Sequence, residues 1–167
     1  KMQASQHEFH IQDEKKKTQI GLMETDGFDY FTMGDGLNKR FEEGVKWLGV
    51  KQKFFNTTII AGNGFSYADV SCTVPHDSIG IVATSVANLK STFPSGTTAS
   101  LPFSIYYGPN DYKILKNYNM DFEDMVNLGQ GFYAFVKYIN HWIVLPVFSF
   151  FEKFVSSYGL VIALLTI

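Results

Sequence analysis

The stretch FSYADVSCTV, Phe65 to Val74, decides the fold class of this chain. Apolar and polar residues alternate along it, and successive side chains of a β-strand point to opposite faces of the sheet. One face of the predicted strand therefore carries Ala68, Val70, Cys72 and Val74, and the other carries Asp69, Ser71 and Thr73. This alternation predicts a strand with one face in a core and the other in water.

Further short stretches of residues 1–109 have strand character and are separated by turn residues. SQHEFHIQ (5–12) and TQIGLMET (18–25) are predicted to form a hairpin with the charged DEKKK (13–17) at its tip. The segment TDGFDYFTMGDG (25–36) is predicted to hold an aromatic strand punctuated by Asp-Gly at 26–27 and 35–36. The other predicted strands are VKWLGVKQKFF (45–55) with Val45, Trp47 and Gly49 on one face, TTIIA (57–61), SIGIVATSV (78–86) and SLPFSIYYG (100–108). We expect TTIIA to end at the turn Gly62-Asn63-Gly64 and residues 38–43 to form one helical turn. Short strands at this spacing predict a mainly β fold, an antiparallel sandwich.

Composition narrows the class of protein. The 167 residues carry 14 basic and 16 acidic side chains, a net charge of -2, which gives no footprint for nucleic acid. Aromatic residues make up 16% of the chain, a content that suits either β-structure or a lipid–water interface. Cys72 is the only cysteine, so no internal disulfide forms, and we expect its side chain to be inward and inert.

After Gly108-Pro109 the pattern becomes helical. Asn110 or Asp111 is a predicted N-cap for DYKILKNY (111–118), and MDFEDMVNLG (120–129) is predicted to form a second short helix. A long, mostly apolar helix is predicted to follow, with Pro146 kinking it. Its polar residues recur at helical spacing and predict one narrow wet stripe: Lys137, Asn140, His141, Ser149, Glu152, Lys153 and Ser156. A buried core helix and an interfacial membrane helix both fit, and the flanking lysines, Trp142 and Tyr138 favour the interface.

The chain closes on SSYGLVIALLTI, an apolar run with nothing polar behind it. The eight residues from Leu160 to Ile167 measure about 12 Å as a helix, against about 30 Å for a bilayer core. The run is too short to span, so we expect it to be the first part of a transmembrane helix in a longer protein.

The candidate catalytic and metal-binding residues have simpler explanations. His7 and His10 are three residues apart in a predicted strand, so they point to opposite faces and do not chelate together. Glu42-Glu43 and the group Asp121, Glu123 and Asp124 lack the spacing of a calcium loop and are read as helix caps and solvated faces. No catalytic residue, metal site or cofactor is predicted, and we expect no enzyme activity.

Four stretches in order resemble the YidC membrane-protein insertases of Gram-negative bacteria, and their Bacteroidetes branch most closely. They are VKWLGVKQKFF (45–55), SIYYGPNDYKIL (104–115), VNLGQGFYAFVKYINHWIVLPVFSFFEKFV (126–155) and SYGLVIALLTI (157–167). The resemblance implies part of a periplasmic β-supersandwich, followed by helices, on an inner-membrane protein. It also implies a non-enzymatic function, the insertion and folding of membrane proteins alone or with the Sec translocon. The implied partners are membrane lipids, nascent membrane proteins, and the Sec translocon with its accessory subunits.

On this resemblance the chain divides into four parts. We expect a periplasmic β-sandwich portion over 1–109, a short helical connector over 110–131, an amphipathic membrane-interface helix over 132–156 and the start of a transmembrane helix over 157–167. The predicted transmembrane entry is at Tyr158 and Gly159. The predicted membrane-interface residues are Phe132, Phe135, Lys137, Tyr138, His141, Trp142, Phe148, Phe151, Lys153 and Phe154.

One rival hypothesis is an extracytoplasmic β-sandwich that binds carbohydrate or peptide. In that case the apolar helix folds back as core, and the aromatic side chains of Tyr30, Tyr67, Tyr106 and Tyr107 are available to stack on sugars. This hypothesis is disfavoured because no carboxylate or histidine pair is convincingly placed for it, and a hydrolase is a weaker hypothesis still.

Overall fold

In a computed structural model the chain forms two compact units, Lys1–Met125 and Val126–Ile167. The structure describes residues 1–5, 9–34, 36–93, 95–96, 98, 100–128, 134–155 and 157–165.

Unit 1 is built from two antiparallel sheets, which confirms the predicted β-sandwich. A four-stranded sheet has the order β1-β8-β7-β4 and a five-stranded sheet the order β3-β2-β5-β6-β9. The strands are β1 Met2–Ser5, β2 Gln19–Met23, β3 Phe28–Thr32, β4 Leu37–Phe41, β5 Val45–Lys51, β6 Phe55–Phe65, β7 Tyr67–Thr73, β8 Ile81–Lys90 and β9 Phe103–Pro109. The helices of unit 1 are α1 Ile11–Lys17 and α2 Tyr112–Lys116.

The core lies between the two sheets. β7 contributes Ala68, Val70 and Cys72 to it, as the alternation of the sequence predicts, and Val74 packs against its margin. β2 and β5 contribute Ile20 and Leu48 from the opposing sheet, among others. Burial raises the pKa of the Cys72 thiol, which fits the expectation of an inert cysteine.

A β-bulge corrects the predicted facing of β5. The register with β6 shifts between Val45 and Trp47, so these two side chains do not share a face. Val45 belongs to the inter-sheet core, whereas Trp47 points to the outer face of the five-stranded sheet. There its ring packs on Phe122 at 5.1 Å between centroids, and Nε1 donates a hydrogen bond of 3.0 Å to the Met120 carbonyl.

The helical connector therefore covers the outer face of the five-stranded sheet. Asp111, one of the two predicted N-caps, caps α2 by accepting a hydrogen bond of 3.0 Å from the Ile114 N–H. A 3₁₀ turn over Phe122–Met125 follows and buries Phe122 and Met125. Met125 lies so close to the sheet that a Cβ added at Gly49 would come within 2.9 Å of its methyl carbon. The end predicted at Gly129 lies outside the described residues.

The predicted N-terminal hairpin is wrong. β1 pairs with β8, β2 pairs with β3 and β5, and the charged DEKKK lies in helix α1 rather than at a hairpin tip. The order of its charges explains the helix, since Asp13 and Glu14 lie in the first turn and the lysines in the last turn, where each sign suits the helix dipole. Lys15 also forms a salt bridge of 2.6 Å with Asp77. His10 precedes α1 instead of lying in a strand, and His7 is outside the described residues.

Two smaller expectations also fail. Residues 37–41 form strand β4 rather than a helical turn, because pairing with β7 places Phe41 in the core. Strand β6 does not end at Gly62-Asn63-Gly64 but continues to Phe65. The Gly62 N–H donates a hydrogen bond of 2.9 Å to the Pro102 carbonyl. The segment that leads into β9 therefore continues the pairing of β6 at this point.

Unit 2 is helical in the part that the structure describes. It contains α3 Ala134–Ile139, a π-helical turn over Asn140–Val144, α4 Leu145–Glu152 and α5 Tyr158–Leu165. In the described part of the chain, no helix reaches the combination of length and apolar character needed to cross a membrane.

Candidate membrane-interface site

One helical run, from Ala134 to Glu152, carries most of the predicted site. The Leu145 N–H bonds to the Asn140 carbonyl, five residues back, which is the mark of a π-turn. Pro146 explains its position, because proline has no N–H to donate and its ring crowds the carbonyl four residues earlier. The disturbance expected at Pro146 is therefore a widened turn, through which the helix continues.

Large aromatic side chains of this run, and of the turn that follows it, are exposed at intervals of four residues. The exposed fractions are 69% for Tyr138, 75% for Trp142, 58% for Phe150 and 73% for Phe154, and the exposed Pro146 completes the series. In a regular α-helix a spacing of four drifts by about 40° per step. The π-turn holds an extra residue, which reduces this drift between Tyr138 and Pro146. We name Tyr138, Trp142, Phe150 and Phe154 the aromatic face.

The polar side chains do not form the predicted wet stripe. Asn140 is half-buried and donates a hydrogen bond of 2.7 Å to the Leu128 carbonyl, which ties the start of unit 2 to the helix. Ser149 and Glu152 are also half-buried, and only Lys153 among the described members of that set is fully exposed. The described polar side chains other than Lys153 are therefore less exposed than Tyr138, Trp142, Phe150 and Phe154, and they do not form the wettest side of the helix as predicted.

The exposure of these aromatic side chains differs from the usual pattern of a helix in a water-soluble protein. Such a helix normally hides its apolar stripe and presents its polar face to water. Contiguous exposed apolar surface marks a site for a protein or a membrane. Tryptophan and tyrosine in particular favour the depth of lipid headgroups, because each joins an apolar ring to a polar group.

The predicted interface residues fall into groups in the structure. Tyr138, Trp142, Lys153 and Phe154 are exposed, whereas His141, Phe148 and Phe151 are half-buried. Phe132 lies outside the described residues, and only the backbone is described at Phe135, Lys137 and Tyr158. Gly159 is the exposed second residue of α5.

Sequence reasoning missed Phe150, together with the exposed Ile139 and Ile143. Phe150 contacts two other rings, with centroids 5.1 Å from Phe154 and 5.6 Å from Phe151. The four-residue spacing from Tyr138 to Phe154 was a signal in the sequence that could have found it. On α5, Leu160 and Ile162 are also exposed at 52% and 56%, beside the buried Val161.

The described residues contain no group of three histidine, cysteine or carboxylate side chains placed to hold a metal ion. Among the side chains that the structure describes in this unit, the site presents apolar surface with an exposed ammonium at Lys153. Exposed apolar surface beside a cationic side chain is complementary to an apolar phase that has anionic groups at its edge.

The family model and the curated relatives that match this chain carry the same family name. Residues 3–143 match the model of the YidC periplasmic domain family. The chain is 29% identical over 161 residues to the membrane protein insertase YidC of Parabacteroides distasonis, covering 85% of this chain and 23% of that protein. It is 35% identical over 129 residues to the protein of the same name from Amoebophilus asiaticus, covering 74% and 20%. For that of Cytophaga hutchinsonii the identity is 27% over 175 residues, covering 96% and 27%. The chain thus spans about a fifth to a quarter of the length of these curated relatives.

Proposed function

Because this chain belongs to the YidC periplasmic domain family, we propose that it is the periplasmic and membrane-interface part of an inner-membrane protein insertase. The whole protein then inserts and folds membrane proteins, in keeping with the name of its relatives. The chain's own contribution is to dock the periplasmic unit on the outer leaflet of the membrane. The observation that carries the docking role is the exposed aromatic face of unit 2.

In this proposal the helical run from Ala134 to Glu152 lies in the plane of the headgroups. An interfacial helix buries its apolar face by about 5–10 Å at the headgroup–acyl boundary. Trp142 and Tyr138 suit that depth, Phe150 and Phe154 reach towards the acyl chains, and Lys153 meets phosphate. The chain then turns at Tyr158-Gly159, and α5 begins the descent into the bilayer.

The partners follow from the same proposal. Lipids contact the aromatic face, and nascent membrane proteins are the substrates of the whole insertase. The Sec translocon and its accessory subunits are proposed as partners on the family resemblance alone, since no surface of the described chain is assigned to them.

The carbohydrate-binding alternative loses one of its main aromatic residues. Tyr106 is buried, and its hydroxyl donates a hydrogen bond of 2.8 Å to the Pro109 carbonyl. Its ring meets Phe122 edge-on, with 5.2 Å between centroids. Tyr106 therefore belongs to the packing of the connector on the sheet and is not available for a sugar.

Flotation with liposomes of mixed zwitterionic and anionic lipid tests the docking role. Immersing roughly 100 Å² of an indole ring at about 25 cal/mol per Å² gives about 2.5 kcal/mol. About 1.4 kcal/mol is already tenfold in an equilibrium constant. We therefore expect Trp142→Ala to lower the partition coefficient of the chain into liposomes at least tenfold. The melting temperature of the variant is expected to be unchanged. Tyr107→Ala is the matched control, because Tyr107 is 77% exposed but lies on the sandwich. Equal partitioning of the two variants would refute the docking role.

A further inference from the structure

One π-turn interrupts the helical run between the two halves of the aromatic face. The turn covers Asn140–Val144, and the Leu145 N–H donates to the Asn140 carbonyl, five residues back. A turn of this kind holds one residue more than a turn of the α-helix on either side of it. The extra residue changes the direction of every later side chain. It therefore fixes how the second half of the run is rotated about the helix axis relative to the first half.

The size of this rotation follows from the spacing of Tyr138 and Phe150. Phe150 lies twelve residues after Tyr138, and at about 100° per residue an unbroken α-helix would turn by about 1200°, which leaves the two rings about 120° apart. Because the π-turn takes up one of the twelve residues, the rotation is about 1100° and the rings point within about 20° of each other. The exposed fractions of 69% for Tyr138 and 58% for Phe150 agree with this second arrangement. Ser149, which would share the direction of Tyr138 in an unbroken helix, is half-buried.

The same rotation keeps a carboxylate away from the aromatic face. Glu152 lies fourteen residues after Tyr138 and is the one acidic residue in the sequence of the run. It points about 140° from Tyr138 with the π-turn present, and it would point only about 40° from Tyr138 in an unbroken helix. A carboxylate loses its hydration in an apolar phase and is repelled by anionic headgroups. The π-turn thus separates the exposed rings from the group that is least suited to lipid.

Pro146 and Asn140 hold the turn in place. Proline has no N–H to offer the Trp142 carbonyl, and its ring crowds that oxygen, so a widened turn is favoured immediately before it. The backbone carbonyl of Asn140 accepts the hydrogen bond that closes the turn. The side chain of the same residue donates a hydrogen bond of 2.7 Å to the Leu128 carbonyl. The turn is therefore fixed at both ends.

We propose that this π-turn sets which side chains of α4 meet the membrane, with Pro146 and Asn140 as its positioning residues. This positioning role rests on the proposed docking function and deepens it. Pro146→Ala restores an N–H and removes the crowding, so the run becomes an unbroken α-helix that turns Phe150 away from lipid and Glu152 towards it. Deleting Val144 in the Pro146→Ala chain removes the extra residue and brings the original directions back.

Quenching of tryptophan fluorescence tests the proposal, with vesicles of zwitterionic and anionic phospholipid brominated on the acyl chains. In a Trp142→Phe background, Phe150→Trp and Ser149→Trp each place one indole in α4, and Trp47 gives a constant signal because it is fully buried. With Pro146 present, we expect the indole at position 150 to be quenched more than the indole at position 149. Pro146→Ala is expected to reverse this order, and the added deletion of Val144 is expected to restore it.

Partitioning into liposomes gives a second measurement. We expect Pro146→Ala to lower the partition coefficient about tenfold, the size expected for withdrawing one phenyl ring from an apolar phase. The deletion of Val144 is expected to recover it. A proline that served only to stiffen the helix would not be replaced by a deletion. Failure of the deletion to recover both partitioning and the order of quenching would therefore overturn the proposal.

The quenching data separate this proposal from the docking role. The same order of quenching with and without Pro146 would overturn the positioning role of the π-turn and leave the docking role in place. An absence of quenching at both positions, with Pro146 present, would refute the docking role and the positioning role together.

Discussion

Replacing Lys51 with methionine is expected to stabilise unit 1. Lys51 is 7% exposed at the end of β5, and its register neighbours are the uncharged Gln19 on β2 and Asn56 on β6. It forms no salt bridge with any of the described residues. Burial lowers the pKa of its ammonium to about 8, because the charged form loses its hydration. Methionine keeps the apolar stem and removes the charge.

The size of the effect follows from that pKa. The difference between the ordinary 10.5 and about 8 corresponds to about 3 kcal/mol at about 1.36 kcal/mol per pKa unit. The folded-state pKa lies below the unfolded one, so the unfolded chain binds more protons between these values. The stability of the unmodified chain therefore rises with pH from about 8 to about 10.5, while the penalty is fully present at neutral pH. We expect Lys51→Met to gain up to about 3 kcal/mol at pH 7 and about 1 kcal/mol at pH 10.

Urea unfolding at these two pH values checks the prediction, with Trp47 fluorescence followed in a Trp142→Phe background. Lys46→Met is the matched control, because Lys46 lies on the same strand but is exposed. Its unfolding free energy is expected to stay within about 0.5 kcal/mol of the parent. A gain for Lys51→Met that is the same at both pH values, or that Lys46→Met reproduces, would refute the electrostatic reasoning.

Two further predictions concern the connector. Gly49→Ala is expected to cost about 1–3 kcal/mol, because the new methyl meets Thr58 and Met125; urea unfolding measures it, and Gly96→Ala, which has nothing within 4 Å, should be near neutral. Asp111→Ala is expected to cost about 1 kcal/mol through loss of the cap on α2. In the same assay Asp111→Ser should recover most of that stability, and a Ser variant as unstable as Ala would argue against capping.

Local patterns in the sequence were enough where one interaction decided the structure. The alternation of Phe65–Val74 gave the inward face of β7, and the short polar side chain of Asp111 gave the start of α2. Tertiary pairing decided the rest. No local signal announces that residues 37–41 pair with β7, or that a bulge separates Val45 from Trp47.

For the candidate site, the sequence predicted an apolar helix and most of its exposed aromatic residues. It did not predict which side faces inward, because Asn140 finds its partner in the Leu128 carbonyl, twelve residues earlier. Nor did it predict the exposure of Ile105 on β9, which depends on how far the described strands of the opposing sheet extend. Both features come from packing between segments that are separated in the chain.

The burial of Cys72 has a practical consequence for labelling. It is the only cysteine of the chain, lies in the core between the sheets and has a thiol whose pKa is raised by burial. Reagents such as maleimides attack exposed thiolates, so the native residue is protected while the chain is folded. A cysteine introduced on the aromatic face or on β9 can therefore carry a spectroscopic probe without removal of the native one. Conversely, reaction at Cys72 itself reports opening of the sandwich.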